Sequence, residues 1–489
     1  MRGVGEVEQS VRRQLEYLFS PRSVAVIGAS NTPGKWGFGV FNRVLRTSSD
    51  IRIYPINPNA QDVLGVKAYK RVVEVPEPVD LAVVVIPPQA VPAAMEDCVQ
   101  KGVKAAVIIS AGFKETGEEG AELEEQVARI ARQGGIRFVG PNCNGHFNTA
   151  SDFYTTGEAS FKKGPLALVS QSGNFGGHIL QRGVERGIGF SKYVSSGNEA
   201  DLHLEDYIDY LAEDEETRVI GAYIEGLRDG KRFLELAKKT TRKKPIIVMK
   251  VGRTEEGSQA AQSHTGALSG SDEIYDAAFR QSGVIRVDEV DDLFDVALAL
   301  VRQPLPKGKR VGILTIGGGF GVVATDACRR LGLEIPVLTE ETIQTLNRFL
   351  PPRWPHANPV DMTGETERSY PCLGTLLKAE NIDAVLAVGC VGFPSQSLDR
   401  YSGAVRERLE EYRQRMIEGE LTLVDGLVER IDRYGKPLII TASTGRGESE
   451  AIAKLERNGI YGYPTPERGA RVLSHLVRYG EYVRESGKD

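Results

Sequence analysis

The sequence predicts an α/β chain of three doubly wound domains, and three observations predict it. An apolar strand that runs into a glycine- or serine-rich turn and then opens a helix occurs three times: Val24-Ala-Val-Ile-Gly28-Ala-Ser30, Leu166-Ala-Leu-Val-Ser170-Gln-Ser-Gly173-Asn and Val311-Gly-Ile-Leu-Thr315-Ile-Gly-Gly-Gly319-Phe. Between these starts, continuous Val/Ile runs alternate with helical patterns, as in parallel sheets covered on both faces. The 489 residues also exceed what one core can hold, and at ~100–200 residues per domain they divide into about three. The expected divisions are 1–150, 151–305 and 306–489.

In the first domain, strands are expected at Ser23 to Ile27, Ile51 to Ile56, Leu81 to Ile86, Val103 to Ile109 and Arg137 to Val139, with helices such as Val91 to Gln100 and Gly120 to Arg132 between them. The second places strands at Leu166 to Val169, Lys192 to Ser195, Val219 to Ile224 and Pro245 to Val251, with helices near Leu204 to Ala212 and Lys231 to Thr240. The third begins near Gly308, with strands at Val311 to Thr315, Ala384 to Val388 and Pro437 to Thr441. Leu398 to Arg433 is charged and helix-forming and reads as a solvated helical insertion. Ser151 to Gly164 and Pro304 to Lys309 read as linkers.

Composition narrows the function. A hydrophobic content of 41%, a charged content of 26% and a formal charge of -5 describe a globular protein with no basic field for nucleic acid or acidic membrane. Apolar runs such as Leu81 to Pro88 are far shorter than the ~20 residues of a membrane span. Met1 to Leu15 carries no apolar stretch of signal-peptide type, so a cytoplasmic home is expected. The five cysteines, Cys98, Cys143, Cys328, Cys372 and Cys390, are dispersed and never in a Cys-x-x-Cys pair, which favours buried thiols over a disulfide framework or zinc site.

Each strand–turn–helix start can bind an anion, because unpaired backbone N–H groups and the positive helix end face the turn. Gly28 to Gly37 lacks the Gly-x-Gly-x-x-Gly spacing, and the second strand ends in Asn57-Pro58-Asn59 where a dinucleotide fold needs an acidic residue for the ribose. A nicotinamide oxidoreductase is therefore disfavoured. A Walker loop also fails, since five residues separate Gly28 from Gly34 and Trp36 follows Lys35. What remains is a phosphate-accepting turn at Gly28, Ala29 and Ser30 with Lys35 and Arg43 near it, suited to the pyrophosphate and adenosine of coenzyme A. Ile86, Pro87, Ser110, Ala111, Gly112 and Asn142 complete the candidate cofactor-binding set.

His264 lies among small residues in Gln262-Ser-His264-Thr-Gly-Ala267. An imidazole is nucleophilic near neutral pH, and one ring nitrogen can attack phosphorus while a carboxylate holds the other. Glu225, at the end of the strand Val219 to Ile224, is the candidate carboxylate. Ser170, Ser172, Gly173 and Asn174, together with Gly318 and Gly319, are the candidate phosphate-binding residues. No metal-ligating set is found: His146, His178, His203, His356 and His475 lack metal-ligand spacing.

These residues carry a resemblance. Leu18-Phe-Ser-Pro-Arg-Ser-Val-Ala-Val-Ile-Gly-Ala-Ser30, Tyr54-Pro-Ile-Asn-Pro58, Gly140-Pro-Asn-Cys-Asn-Gly145, Leu168-Val-Ser-Gln-Ser-Gly173, Ser196-Gly-Asn-Glu-Ala-Asp201, Tyr223-Ile-Glu-Gly226, Ser263-His-Thr-Gly-Ala267, Gly317-Gly-Gly-Phe-Gly321 and Asn358-Pro-Val-Asp361 resemble the alpha subunit of ADP-forming acetyl-CoA synthetase, in the superfamily of succinyl-CoA synthetase. The resemblance implies an N-terminal Rossmann-like CoA-binding domain followed by two flavodoxin-like ligase domains. It implies that His264 carries phosphate between an acyl phosphate and the nucleotide, with Glu225 holding its ring. It also implies a separate ATP-grasp beta subunit that binds ATP or ADP with Mg2+, in an alpha2beta2 assembly acting on a small carboxylic acid or its acyl-CoA. Asn144, His146, Asn174-Phe175 and Phe320 depart from the family pattern near the expected acyl pocket and phosphate turns, which leaves the acid open. The alternative from another class is a non-catalytic CoA-binding sensor or scaffold.

Overall fold

The computed structural model describes residues 4–46, 50–157, 161–257, 259, 271–365, 368–391, 402–442 and 449–487. It divides into two compact units, Met1–Leu293 and Phe294–Asp489. The boundary falls inside the helix Val290–Arg302.

Unit one contains two large sheets. The first is fully parallel, in the spatial order Arg52–Ile56, Ser23–Ile27, Leu81–Val84, Ala105–Ile108, Arg137–Val139. Counted along the chain this is 2-1-3-4-5, a doubly wound order whose crevice lies at the carboxyl ends of strands one and three. Every residue of Ser23–Ile27, Leu81–Val84 and Ala105–Ile108 is buried, which is why these segments read as unbroken apolar runs.

The second sheet has the same parallel core in the order Ile285–Val287, Ile246–Lys250, Val219–Ile224, Lys163–Ser170, Phe190–Ser195. An antiparallel extension follows: His146–Asn148 pairs with Phe190–Ser195, and Phe153–Tyr154 pairs with His146–Asn148. Part of the expected linker Ser151 to Gly164 is therefore strand, held by Phe147, which lies 4.4 Å from the stacked ring of Phe161.

The charged N-terminus forms a helix, Val4–Phe19. Its last turn buries Leu15, Leu18 and Phe19. Phe19 stacks on Tyr210 at 5.0 Å, and Arg12 makes a two-pronged ion pair with Asp209 at 2.7 and 2.5 Å. His146 is fully buried beside it, with Nε2 at 2.8 Å from Leu18 O and Nδ1 at 3.1 Å from Thr155 Oγ1. Burial drives its pKa down to about 4, so it is a neutral core residue and not a wall of an acyl pocket.

Unit two holds one parallel sheet in the order Val360–Asp361, Val311–Thr315, Ala384–Val388, Leu438–Thr441, Gly462–Tyr463. The helix Gly403–Tyr434 is exposed through its first half, but Val424, Leu427 and Ile431 are fully buried. Their i, i+3, i+7 spacing forms one apolar stripe that packs into the core of this unit, so the segment is only half a solvated insertion.

Candidate functional site

In unit one the crevice of the first sheet is a cavity of about 730 Å³, inside the ~300–1,000 Å³ span of small-molecule sites. Four strand ends build it. Gly28 follows strand one, with its amide on Ile56 O at 3.0 Å and φ of +95°. A Cβ there would meet Val85 O at 2.2 Å, so only glycine lets the turn lie against the neighbouring strand end. Asn57 follows strand two and donates Nδ2 to Ala29 O at 2.8 Å, while its Oδ1 accepts from Asn59 N at 2.9 Å. Ser110 follows strand four, donating Oγ to Ile86 O at 2.6 Å and receiving Ile86 N at 3.1 Å.

Of the expected cofactor-binding residues, Gly28, Ala29, Ser30, Lys35, Asn57, Pro58, Asn59, Ile86, Pro87, Ser110, Ala111 and Asn142 line this cavity. Gly112 does not; its amide is held by Glu115 Oε1 at 2.6 Å. Arg43 also lies outside the lining. The sequence reading missed Trp36, which is 60% exposed on the lip, and placed Asn144 near the expected acyl pocket and phosphate turns but not in the cofactor-binding set. Cys143 reaches the lining too, but burial raises its thiol to about 12 and its Sγ lies 3.4 Å from Ile108 O, so it stays protonated and inert. Lys35, the amides at the start of helix Trp36–Val44 and the side chains of Asn57, Asn59 and Asn142 form a donor set for a diphosphate with polar sugar and amide groups.

The cavity lining extends to the strand–turn–helix start of the second sheet. Asn144 and Asn174 both line it, and Asn144 Nδ2 donates to Asn174 Oδ1 at 3.4 Å. Asn174 belongs to the helix Gly173–Glu185, whose N-cap Ser172 accepts Phe175 N at 3.3 Å. Ser170 is fully buried and spends its hydroxyl on Ser172 O at 2.7 Å, so its side chain shapes the turn. Phe175 packs on the Tyr223 ring at 4.7 Å and is not among the lining residues.

Strand Val219–Ile224 lies beside Lys163–Ser170 and leads into Glu225, which is buried and is not among the residues that line the cavity. Gln171 clamps it: Gln171 Oε1 accepts Glu225 N at 2.6 Å and Gly226 N at 3.2 Å, and Nε2 donates to Gly226 O at 2.8 Å. Lys250, at the end of the next strand over, is buried above the Tyr275 ring at 4.5 Å. Burial lowers its pKa, opposed by the attraction of Asp272 and Glu225. His264 lies outside the described residues.

In unit two, Gly318 and Gly319 open the helix Gly318–Arg330 with Gly317 as its N-cap, and Thr315 Oγ1 donates to Gly317 O at 2.9 Å. A Cβ on Gly318 would stand 3.3 Å from Asp361 Oδ2, whereas Gly319 faces open space. Phe320 is half exposed on this helix.

Comparison with known proteins decides the family. The chain is 42% identical to the acetate–CoA ligase [ADP-forming] II subunit alpha of Pyrococcus furiosus, over 96% of this chain and 98% of that one. The chain belongs to the family of ADP-forming acetate–CoA ligase alpha subunits. A second alpha subunit of that family, of acetate–CoA ligase [ADP-forming] I from the same organism, is 39% identical over 96% of this chain and 98% of its own length. Among solved structures, the dinucleotide-forming acetyl-coenzyme A synthetase 1 of Ca. Korarchaeum cryptofilum, in complex with phosphate and ADP, superposes with a TM-score of 0.84 at 36% identity, covering 97% of this chain and 98% of that chain. Family models assign residues 22–149 to a CoA binding domain and residues 163–300 to a succinyl-CoA ligase like flavodoxin domain. The ligase family thus places its CoA-binding domain on the sheet that carries the cavity. Among the described residues, no helix is long and apolar enough to cross a membrane.

Proposed function

We propose that this chain is the CoA-binding subunit of an ADP-forming acyl-CoA ligase that works through a phosphohistidine at His264. The observation that carries the reading is a juxtaposition: Asn144 and Asn174, at the start of helix Gly173–Glu185, are part of the lining of the first sheet's cavity, and Gln171 of that same turn clamps Glu225. A thioester placed along the cavity would bring its carbonyl carbon to a helix start able to bind phosphate.

CoA is proposed to lie along the cavity, its diphosphate toward Lys35 and the turn Gly28-Ala29-Ser30, its polar groups toward Asn57, Asn59, Ser110 and Asn142, and its chain past Pro58, Ile86, Pro87 and Ala111. Gly112 acts from behind by supporting that wall. The amides of Ser172, Gly173 and Asn174, with Ser170 fixing the turn, are proposed to hold inorganic phosphate as it attacks the acyl-CoA, giving acyl phosphate and free CoA. The phosphoryl group then passes to an imidazole nitrogen of His264 and releases the acid, with the Glu225 carboxylate holding the other ring nitrogen. Gly318 and Gly319, at the start of helix Gly318–Arg330, are proposed as further phosphate-binding residues. Transfer to ADP restores the imidazole and makes ATP; in reverse the cycle makes acyl-CoA from a small carboxylic acid. Phosphoryl transfer requires positioning and charge stabilisation more than covalent help, which amides at helix starts provide.

Nucleotide and Mg2+ are assigned to a separate ATP-grasp beta subunit, in an alpha2beta2 assembly in the cytoplasm. Co-expression with a candidate beta chain, followed by a screen of carboxylic acids for CoA thioester and ADP formation, tests the reading. Thioester formation that requires both chains supports it; tight CoA binding with no turnover across acids and partners favours a CoA sensor.

A further inference from the structure

The loop that follows strand Phe190–Ser195 touches both halves of the proposed site. Ser196 N donates to Ser170 O at 2.8 Å, Asn198 N to Pro141 O at 2.9 Å and Ala200 N to Gly140 O at 3.0 Å. At Gly197, with φ of +60°, a Cβ would meet Pro141 O at 2.4 Å and Asn142 O at 2.6 Å, so the loop lies directly on the turn that carries Asn142. Asn198 Oδ1 accepts Asn142 Nδ2 at 3.2 Å, and its own amide donates to Glu115 Oε2 at 2.6 Å and Glu124 Oε2 at 2.8 Å.

The next residue serves the other turn. Glu199 is 3% exposed and sits at φ of +53°, a backbone state that a non-glycine residue keeps only where its surroundings fix it. Its Oε1 accepts the Ser196 hydroxyl at 2.7 Å, and the Ser196 amide holds Ser170 O, one residue before Gln171. Gln171 is the clamp on Glu225 and Gly226. Two successive side chains thus connect to the site through a neighbour each, Asn198 through Asn142 of the cavity lining and Glu199 through Ser196 to the turn Ser170-Gln171.

We propose that Asn198 and Glu199 are positioning residues: Asn198 sets Asn142 in the CoA cavity, and Glu199, through Ser196 and the turn Ser170-Gln171, sets the backbone that presents Glu225. The proposal rests on the ligase reading above. It means that the geometry of thioester and phosphoryl chemistry is fixed by one loop that touches neither reactant.

The test compares the full chain, assembled with its beta subunit, as wild type, Asn198→Ala, Glu199→Ala, Glu199→Gln, Gln171→Ala and the Glu199→Ala/Gln171→Ala double variant. Glu199→Ala and Gln171→Ala each lower kcat about 10²-fold, the cost of an ångström-scale misplacement, with KM for CoA within about threefold. The double variant is no slower than either single variant, because both act on one backbone segment. Glu199→Gln, which keeps the shape and the Ser196 contact, recovers to within about threefold of wild type, and Asn198→Ala instead raises KM for CoA about tenfold. Amide exchange at Glu225 and Gly226, read in the chain alone, quickens in Gln171→Ala and Glu199→Ala. If Glu199→Ala does not fold, Gln171→Asn, which shortens the clamp, carries both readouts.

With an active wild type, additive losses in the double variant, or unchanged kcat and exchange, overturn the positioning role. An inactive wild type overturns the ligase reading instead, and the exchange at Glu225 and Gly226 still decides the role of Glu199.

Discussion

The Asn144 side chain stands over Gly173 so closely that a Cβ on that glycine would lie 2.7 Å from the Asn144 amide carbon. This contact joins the lining of the proposed CoA cavity to the first residue of helix Gly173–Glu185. Gly173→Ala is expected to push the Asn144 side chain off Asn174. The obstacle is a movable side chain, so stability should fall by only about 1 kcal/mol. Thioester formation should fall about tenfold or more, since the displaced groups line the proposed reaction centre. Adding Asn144→Ala restores room, and thermal unfolding with activity assays on the three variants separates packing from catalysis.

Gly28 poses the opposite case. The obstacle to a side chain is the Val85 carbonyl, part of a sheet strand end that cannot yield, and φ is +95°. Gly28→Ala is expected to cost about 2 kcal/mol or more and to abolish CoA binding. Gly34, with φ of +86° but nothing within 4 Å of a Cβ, should cost only about 1–2 kcal/mol on the same change. Urea unfolding and titration calorimetry with CoA check both.

Trp36 lies on the lip of the cavity and is exposed, whereas Trp354 is buried in the core of the other unit. These are the two tryptophans of the chain. CoA titration should therefore change the exposed component of the fluorescence, and Trp36→Phe should remove that change while weakening CoA by about tenfold or less. An unchanged spectrum on saturating CoA would place the cofactor elsewhere.

Burial raises the Glu199 carboxyl to about 7, against the hydrogen bonds from Ser196 and Gln171 that favour its charge, with Glu205 adding repulsion. Between the unfolded value of 4.5 and this folded value the native chain holds one more proton than the unfolded chain, so stability falls as pH rises through that window. The contribution is present in full below 4.5 and is lost, on the order of a few kcal/mol, above about 7. Glu199→Gln cannot ionise. The difference in melting temperature, variant minus wild type, should grow in favour of the glutamine as pH goes from 5 to 8.

Local patterns were legible and long-range ones were not. The three strand–turn–helix starts came out of the sequence because each is written in about ten contiguous residues. The cavity residues came out with them because doubly wound sheets put ligands at strand ends, which the turns Gly28-Ala-Ser30 and Asn57-Pro-Asn59 mark. The antiparallel strands His146–Asn148 and Phe153–Tyr154 were hidden because they are three and two residues long and lie among turn formers. The buried stripe Val424, Leu427, Ile431 was masked by the charges around it. The clamp from Gln171 to Glu225 and the pair Asn142–Asn198 join residues 54 and 56 positions apart, and no local spacing encodes them. Gln171 and Ser196-Gly-Asn-Glu199 did stand in the segments that carry the family resemblance, and that was the signal available for them.

The proposed cycle requires a phosphoryl group on one imidazole. Incubation of the assembled enzyme with Mg2+ and ATP labelled at the γ-phosphate, followed by acid- and base-stability assays and peptide mapping, measures it directly. The expected result is an acid-labile, base-stable label on His264 that ADP or acid with CoA removes, and that His264→Ala abolishes together with turnover. Turnover that persists in His264→Ala, or a label that maps to another residue, would contradict it.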